Sequence, residues 1–257
     1  MLTRLITVVA VAAILAASGS AQEWGDIEAN FFLKGSFTPE KIVPDRGLLQ
    51  IAPLTRENVV VDPKTRGIKN IAFYILPTPG QELPVHPLYK ESAGGKVTLE
   101  IKNGRFQPHL LAVRTTQTLE IANNDFVGYN AKGEFFNNMS FNVLIPFGDK
   151  VEKHFENPER SFAKVDCSIH PWLSAYLFIT DHPYVQFSDA KGHLAIKNVP
   201  AGEWTFVVWQ ENTGYLSDVI VDGKPTKWTR GRINLTVKPG VNKLGKIEVE
   251  PAALKIK

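Results

Sequence analysis

The chain has 257 residues, 44% apolar and 21% charged, with a formal net charge of +3. Such a length allows one large domain or two small ones, and the composition is that of an ordinary globular protein. A charge balance so near neutral carries no electrostatic footprint for nucleic acid, which is not expected as a partner.

Residues 1–21 read as a leader. Arg4 supplies a positive start, an apolar run extends from Leu5 to Ala17, and Gly19-Ser20-Ala21 offers small residues for cleavage before Gln22. The run is too short and wrongly flanked for a membrane helix. The expectation is a cleaved secretory signal peptide and a periplasmic or secreted mature protein. No later apolar stretch approaches the length of a span, so no membrane span is expected after the leader is removed.

Residues 22–58 are expected to form an N-terminal β segment packing on the sandwiches. Strands are predicted at 68–76, 96–102, 110–114, 118–122, 140–145, 150–155, 175–180, 193–197, 203–209, 216–221, 232–237 and 244–249. Short alternating segments broken by Gly, Pro, Asn and Asp argue for sandwiches rather than βαβ units. No segment sustains a helical period. The best boundary is Asp181-His182-Pro183-Tyr184. The expected fold is therefore all-β, with one sandwich over 59–182 and a second over 183–257. The link between them is too short to be flexible, and Phe178 and Tyr184 are the expected contacts. Trp204 and Trp209 are expected in a sandwich core. Basic residues gather late, at Lys224, Lys227, Arg230, Arg232, Lys238 and Lys243, and read as a solvated strand face.

Cys167 is the only cysteine, in Cys167-Ser168-Ile169-His170-Pro171-Trp172-Leu173. It has no partner for an intramolecular disulfide. A thiolate with an imidazole three residues on, in a loop stiffened by Pro171, is half of a soft-metal site, and that pair of donors suits copper. The alternative is a buried thiol acting as a small hydrophobe. His86 and His154 read as surface residues, and His182 as packing between the lobes. The glycosylation sequons at Asn138 and Asn234 carry weight only in a host that glycosylates exported proteins. No nucleophile elbow, zinc-binding His-Glu-x-x-His or phosphate loop is present, so no enzyme is expected.

Three separated motifs carry a family resemblance. Phe106-Gln107-Pro108-His109-Leu110-Leu111-Ala112-Val113 opens a strand, and Leu119-Glu120-Ile121-Ala122-Asn123-Asn124-Asp125 ends one. The third is the loop from Cys167 to Trp172. Together they resemble the exported bacterial cupredoxin-like proteins described as plastocyanin-like or methylamine-utilisation-type. Residues 184–257 resemble a transthyretin-like module of the carboxypeptidase-regulatory kind, on Asp189-Ala190-Lys191-Gly192-His193-Leu194 and Val199-Pro200-Ala201-Gly202-Glu203-Trp204. The resemblance implies a cupredoxin-like Greek-key sandwich followed by a transthyretin-like one, copper as cofactor, and electron exchange with a redox partner protein.

The departures from that pattern bear on function. The family places a His four residues after the Asp, where this chain has Tyr129. It usually places Met three residues after the loop His, where this chain has Leu173, and often His where this chain has Gln210. The expected metal set is thus Cys167, His170, Tyr129 and His109, with Met139 a further sulfur in the loop beyond Tyr129. Two functions stay open. One is copper binding with electron transfer through a degenerate blue-copper site. The other is a metal-free β-sandwich module that binds a protein partner or a surface glycan.

Overall fold

The computed structural model describes residues 22–42 and 54–256. The expected leader, residues 1–21, lies outside the described residues. The protein is almost entirely β, and the helical segments among the described residues are short 3-10 turns.

Strict alternation determines how the first strand is used. Trp24–Leu33 turns Ile27, Ala29, Phe31 and Leu33 to one side, and all four are buried. Both edges of this ten-residue strand are paired, which makes it an inner strand of its sheet. It pairs antiparallel with His193–Pro200 and parallel with Gly240–Val249, and the sheet continues through Asp218–Val221 to Lys224–Lys227. The N-terminal segment therefore supplies an integral strand of the second lobe, where the sequence suggested a β segment packing on the sandwiches.

A second sheet faces the first. It runs Val185–Phe187, Ala72–Ile75, Gly202–Gln210, Gly214–Tyr215, with Arg232–Val237 also paired to Gly202–Gln210. Phe73, Ile75, Phe206 and Val208 point into the core shared with the first sheet. Ala72, Tyr74, Val207 and Trp209 point the other way. Uninterrupted apolar runs such as Ala72–Ile75 require burial on both faces. That explains a reassignment: this strand lies within 59–182, expected to be the first sandwich, yet it is hydrogen-bonded inside the second.

The first sandwich spans residues 96–180. One sheet is Lys150–His154, Thr118–Asn123, Lys96–Lys102, Arg105–Gln107. The other is Phe141–Ile145, Tyr129–Gly133, Ala163–Asp166, Ser174–Thr180, Leu110–Arg114. The chain passes between the two sheets from Gln107 to Leu110. Between them lies a core that includes Leu99, Phe106, Ile121, Val165, Leu177 and Ile179. Tyr129–Gly133 and Ala163–Asp166 are not predicted as strands, because Asn130, Lys132 and Gly133 hide the alternation of the first and the second is only four residues long.

The two lobes share a third apolar layer. Phe162 stacks on Trp209 with ring centroids 4.0 Å apart, and Tyr74 lies 4.4 Å from Phe178. Four sheets are thus stacked with three cores between them. Phe178 belongs to the contact between lobes, as its position suggested, whereas Tyr184 packs in the core of the second lobe. Trp204 and Trp209 are five apart on one strand, so they face opposite sides and serve different cores. One close approach locks the second lobe. A Cβ on Gly67 would sit 2.1 Å from the Lys191 carbonyl carbon, and one on Gly192, at φ +81°, 2.1 Å from the Phe31 oxygen.

Candidate metal centre

Ala163–Asp166 and Ser174–Thr180 are antiparallel neighbours, and residues 167–173 join them at one end of the first sandwich. The loop is tight. The Leu173 N–H donates to the His170 oxygen (3.0 Å), and the Cys167 N–H donates to the Leu173 oxygen (3.3 Å). Cys167 is buried in the sandwich core, and its Sγ lies 3.8 Å from His170 Nδ1.

Asn130 joins this loop to its neighbour. Its backbone N–H donates to Cys167 Sγ (3.4 Å), its Oδ1 accepts the Ser168 N–H (2.5 Å), and its Nδ2 donates to Asn142 (2.5 Å). The sulfur therefore has an oriented donor already aimed at it, and the loop carrying it is tied to the adjacent strand. The run 123–130, expected beside the loop, lies there. Asn130 itself is not singled out by the sequence; only its position immediately after Tyr129 hints at it.

Tyr129 is fully buried, with its ring 4.6 Å from that of His170. Its hydroxyl donates to Asp125 Oδ2 (2.9 Å). The same carboxylate accepts the backbone N–H groups of Asn103 (2.8 Å) and Gly104 (2.6 Å). Burial, then the hydrogen bond and charge of Asp125, hold the phenol well above the ordinary tyrosine range. It is a committed proton donor, the opposite of what a phenolate ligand requires.

The remaining expected donors are elsewhere. His109 lies on the other side of its sheet. Its ring packs on Tyr176, which faces the second lobe, and its Nε2 pairs with Glu211 (2.5 Å). Glu57 stands 3.9 Å from the His109 Nδ1. Met139 is 91% exposed, whereas Leu173 is buried against the Cys167 core. Gln210 is buried and donates to the Asn58 oxygen. His86 caps a short turn, His154 is exposed, and His182 is buried.

Among the described residues no group of three or more His, Cys, Asp or Glu could hold a metal ion. What the loop offers is one thiol and one imidazole side by side. A blue Cu(II) centre needs a cysteine and two histidines, and the phenol and leucine do not fit it. A soft monovalent ion fits the pair, because thiolate ligands select Cu(I).

No family model matches the chain, and no curated protein matches it. Among solved structures, a purple cupredoxin from Nitrosopumilus maritimus is 25% identical, over 34% of this chain and 99% of its own, at a TM-score of 0.28. The copper-containing nitrite reductase NirK from Thermus scotoductus SA-01 is 18% identical over 41% of this chain, at 0.30. This chain spans only 25% of that enzyme's length. The Cu(I) form of an amicyanin mutant is 14% identical, over 42% of this chain and 97% of its own, also at 0.30.

Proposed function

We propose that this chain is an exported, non-enzymatic protein whose cupredoxin-like lobe holds monovalent copper through Cys167 and His170. The second lobe, transthyretin-like in its turn signatures, packs against it as a rigid support. One observation carries the reading: Cys167 Sγ lies 3.8 Å from His170 Nδ1, with the Asn130 N–H directed at the sulfur. Copper bound there would be held in its reduced form by a soft thiolate. Electron exchange with a redox partner is not part of the reading, because the second imidazole that would support Cu(II) is replaced by a phenol bound to Asp125. The export leader supports a periplasmic or secreted location.

The test is an anaerobic competition for Cu(I) against a chromophoric chelator, with a parallel Cu(II) titration followed in the visible. Wild type should take one equivalent of Cu(I), and Cys167→Ser and His170→Ala should each lose it. With Cu(II) the wild type should give no intense band, and Tyr129→His should introduce one. A strong cysteine-dependent band in the wild type would overturn the reading. Equal Cu(I) uptake by Cys167→Ser would remove Cys167 as a donor and overturn the reading, and no uptake by the wild type would leave the metal-free module, which the buried Leu173 and the Tyr129–Asp125 bond favour.

A further inference from the structure

Arg230 and Arg232 look in the sequence like part of a solvated face. Folding brings them together with Arg160, from the other lobe, around one cleft of about 810 Å³ at the seam between lobes. Arg160 comes from the loop after Lys150–His154. That loop is pinned where its neighbour Glu159 donates its N–H to the Ile179 oxygen (2.9 Å). The buried Glu159 carboxylate accepts the N–H groups of Phe136 and Asn137. Arg232 opens the strand Arg232–Val237 opposite Val207. Arg230 sits in a 3-10 turn at φ 55°, ψ 36°, a left-handed conformation that non-glycine residues seldom adopt.

The pairing of the arginines sets these three apart. Among the described residues, Arg56 and Arg105 form ion pairs with Glu40 and Glu57. Arg66 donates to the Gly35 oxygen, and Arg114 to the Tyr89 oxygen and Ser92. Arg160, Arg230 and Arg232 are the described arginines whose side chains have neither an ion pair nor a hydrogen bond, and all three line this cleft. No carboxylate among the described residues lines it. A concave surface of one sign concentrates the opposite ion, and a guanidinium matches a planar or tetrahedral oxyanion with two parallel donors.

The rest of the lining is suited to a hydroxylated ring. Tyr215 and Pro79 give flat apolar faces, and Thr205 gives a hydroxyl. Tyr74 forms the floor, and burial keeps its phenol protonated and able to donate. Seams between packed lobes are common places for ligands, and the volume is within the usual range.

We propose that this cleft binds an anionic saccharide, with sulfate or carboxylate oxygens on Arg160, Arg230 and Arg232 and the sugar ring against Tyr215 and Pro79. The site is separate from the copper loop and does not depend on it.

Calorimetric titration of the whole mature protein at low salt tests it. The probes are a sulfated disaccharide, a diuronate and a neutral disaccharide of the same linkage, and an acidic peptide. One equivalent of an anionic saccharide should bind at least about tenfold more tightly than the neutral one, the scale of one charge-assisted hydrogen bond. Whichever saccharide binds identifies the anion as sulfate or carboxylate. Arg160→Gln and Arg230→Gln should each weaken binding by a further factor of about ten. Lys243→Gln, a charge loss on another sheet, and Cys167→Ser should leave it unchanged. Thermal unfolding of each variant checks that the fold is retained. Equal affinity for neutral and anionic sugars, wild-type affinity in Arg160→Gln/Arg232→Gln, or a preference for the acidic peptide would each overturn the proposal.

Discussion

Tyr129→Phe separates a structural phenol from a metal ligand. The substitution keeps the buried ring and removes only the hydroxyl, so packing against His170 is retained. What is lost is the bond to Asp125, one of three donors to a buried carboxylate, with the Asn103 and Gly104 N–H groups remaining. A hydrogen bond to a charged buried group contributes about 1.5–3 kcal/mol. For a protein of this size each kcal/mol moves the melting temperature by about 2–4 °C. The expected result is a Tm lower by about 4–8 °C, using roughly 2 kcal/mol for the bond. Cu(I) affinity should be unchanged, because the donors we propose for copper are Cys167 and His170. Circular dichroism melts and the chelator competition, run on the same preparations, read the two effects. A variant of wild-type stability whose Cu(I) affinity falls tenfold would refute the reasoning and make the phenol a ligand.

Two further outcomes rest on the fold. His182 accepts the Tyr184 N–H at Nδ1 (3.2 Å), and burial lowers its pKa to about 4. A depressed folded pKa means the stability is complete above the free value near 6.5 and is lost as pH falls from there towards 4, by about 3 kcal/mol in all. Denaturant unfolding at pH 7 and pH 4 should show this loss, and His182→Asn, which keeps an acceptor, should flatten it; an equally steep fall in the variant would remove His182 as the cause. Trp209→Ala removes the ring stacked on Phe162 and should cost about 3–5 kcal/mol. Limited proteolysis should then cut near Pro183, a site the wild type should protect; ready cleavage of the wild type there would contradict the shared apolar layer.

Local pattern was enough to read the fold class and many of the strands. Alternation along Lys96–Lys102 and Arg232–Val237 needs only a period of two, which neighbouring residues encode between themselves. Cys167 and His170 were legible as a pair because a loop of that length keeps them together. The layer each strand joins was decided elsewhere. Ala72–Ile75 has the same apolar run whichever sandwich takes it, and its place comes from pairing with Val185–Phe187 and Gly202–Gln210, more than a hundred residues away. His109 could be named as a donor from its motif, but Glu211 holds its ring on the far side of the sheet. Tyr129 sits where a ligand was expected, and Asp125, four residues earlier, accepts its hydrogen bond and keeps it protonated. Arg160 joins Arg230 and Arg232 only when the lobes pack. Local sequence determines which face of a strand is apolar; what covers that face, and which charge meets which, is settled by contacts made across the whole chain.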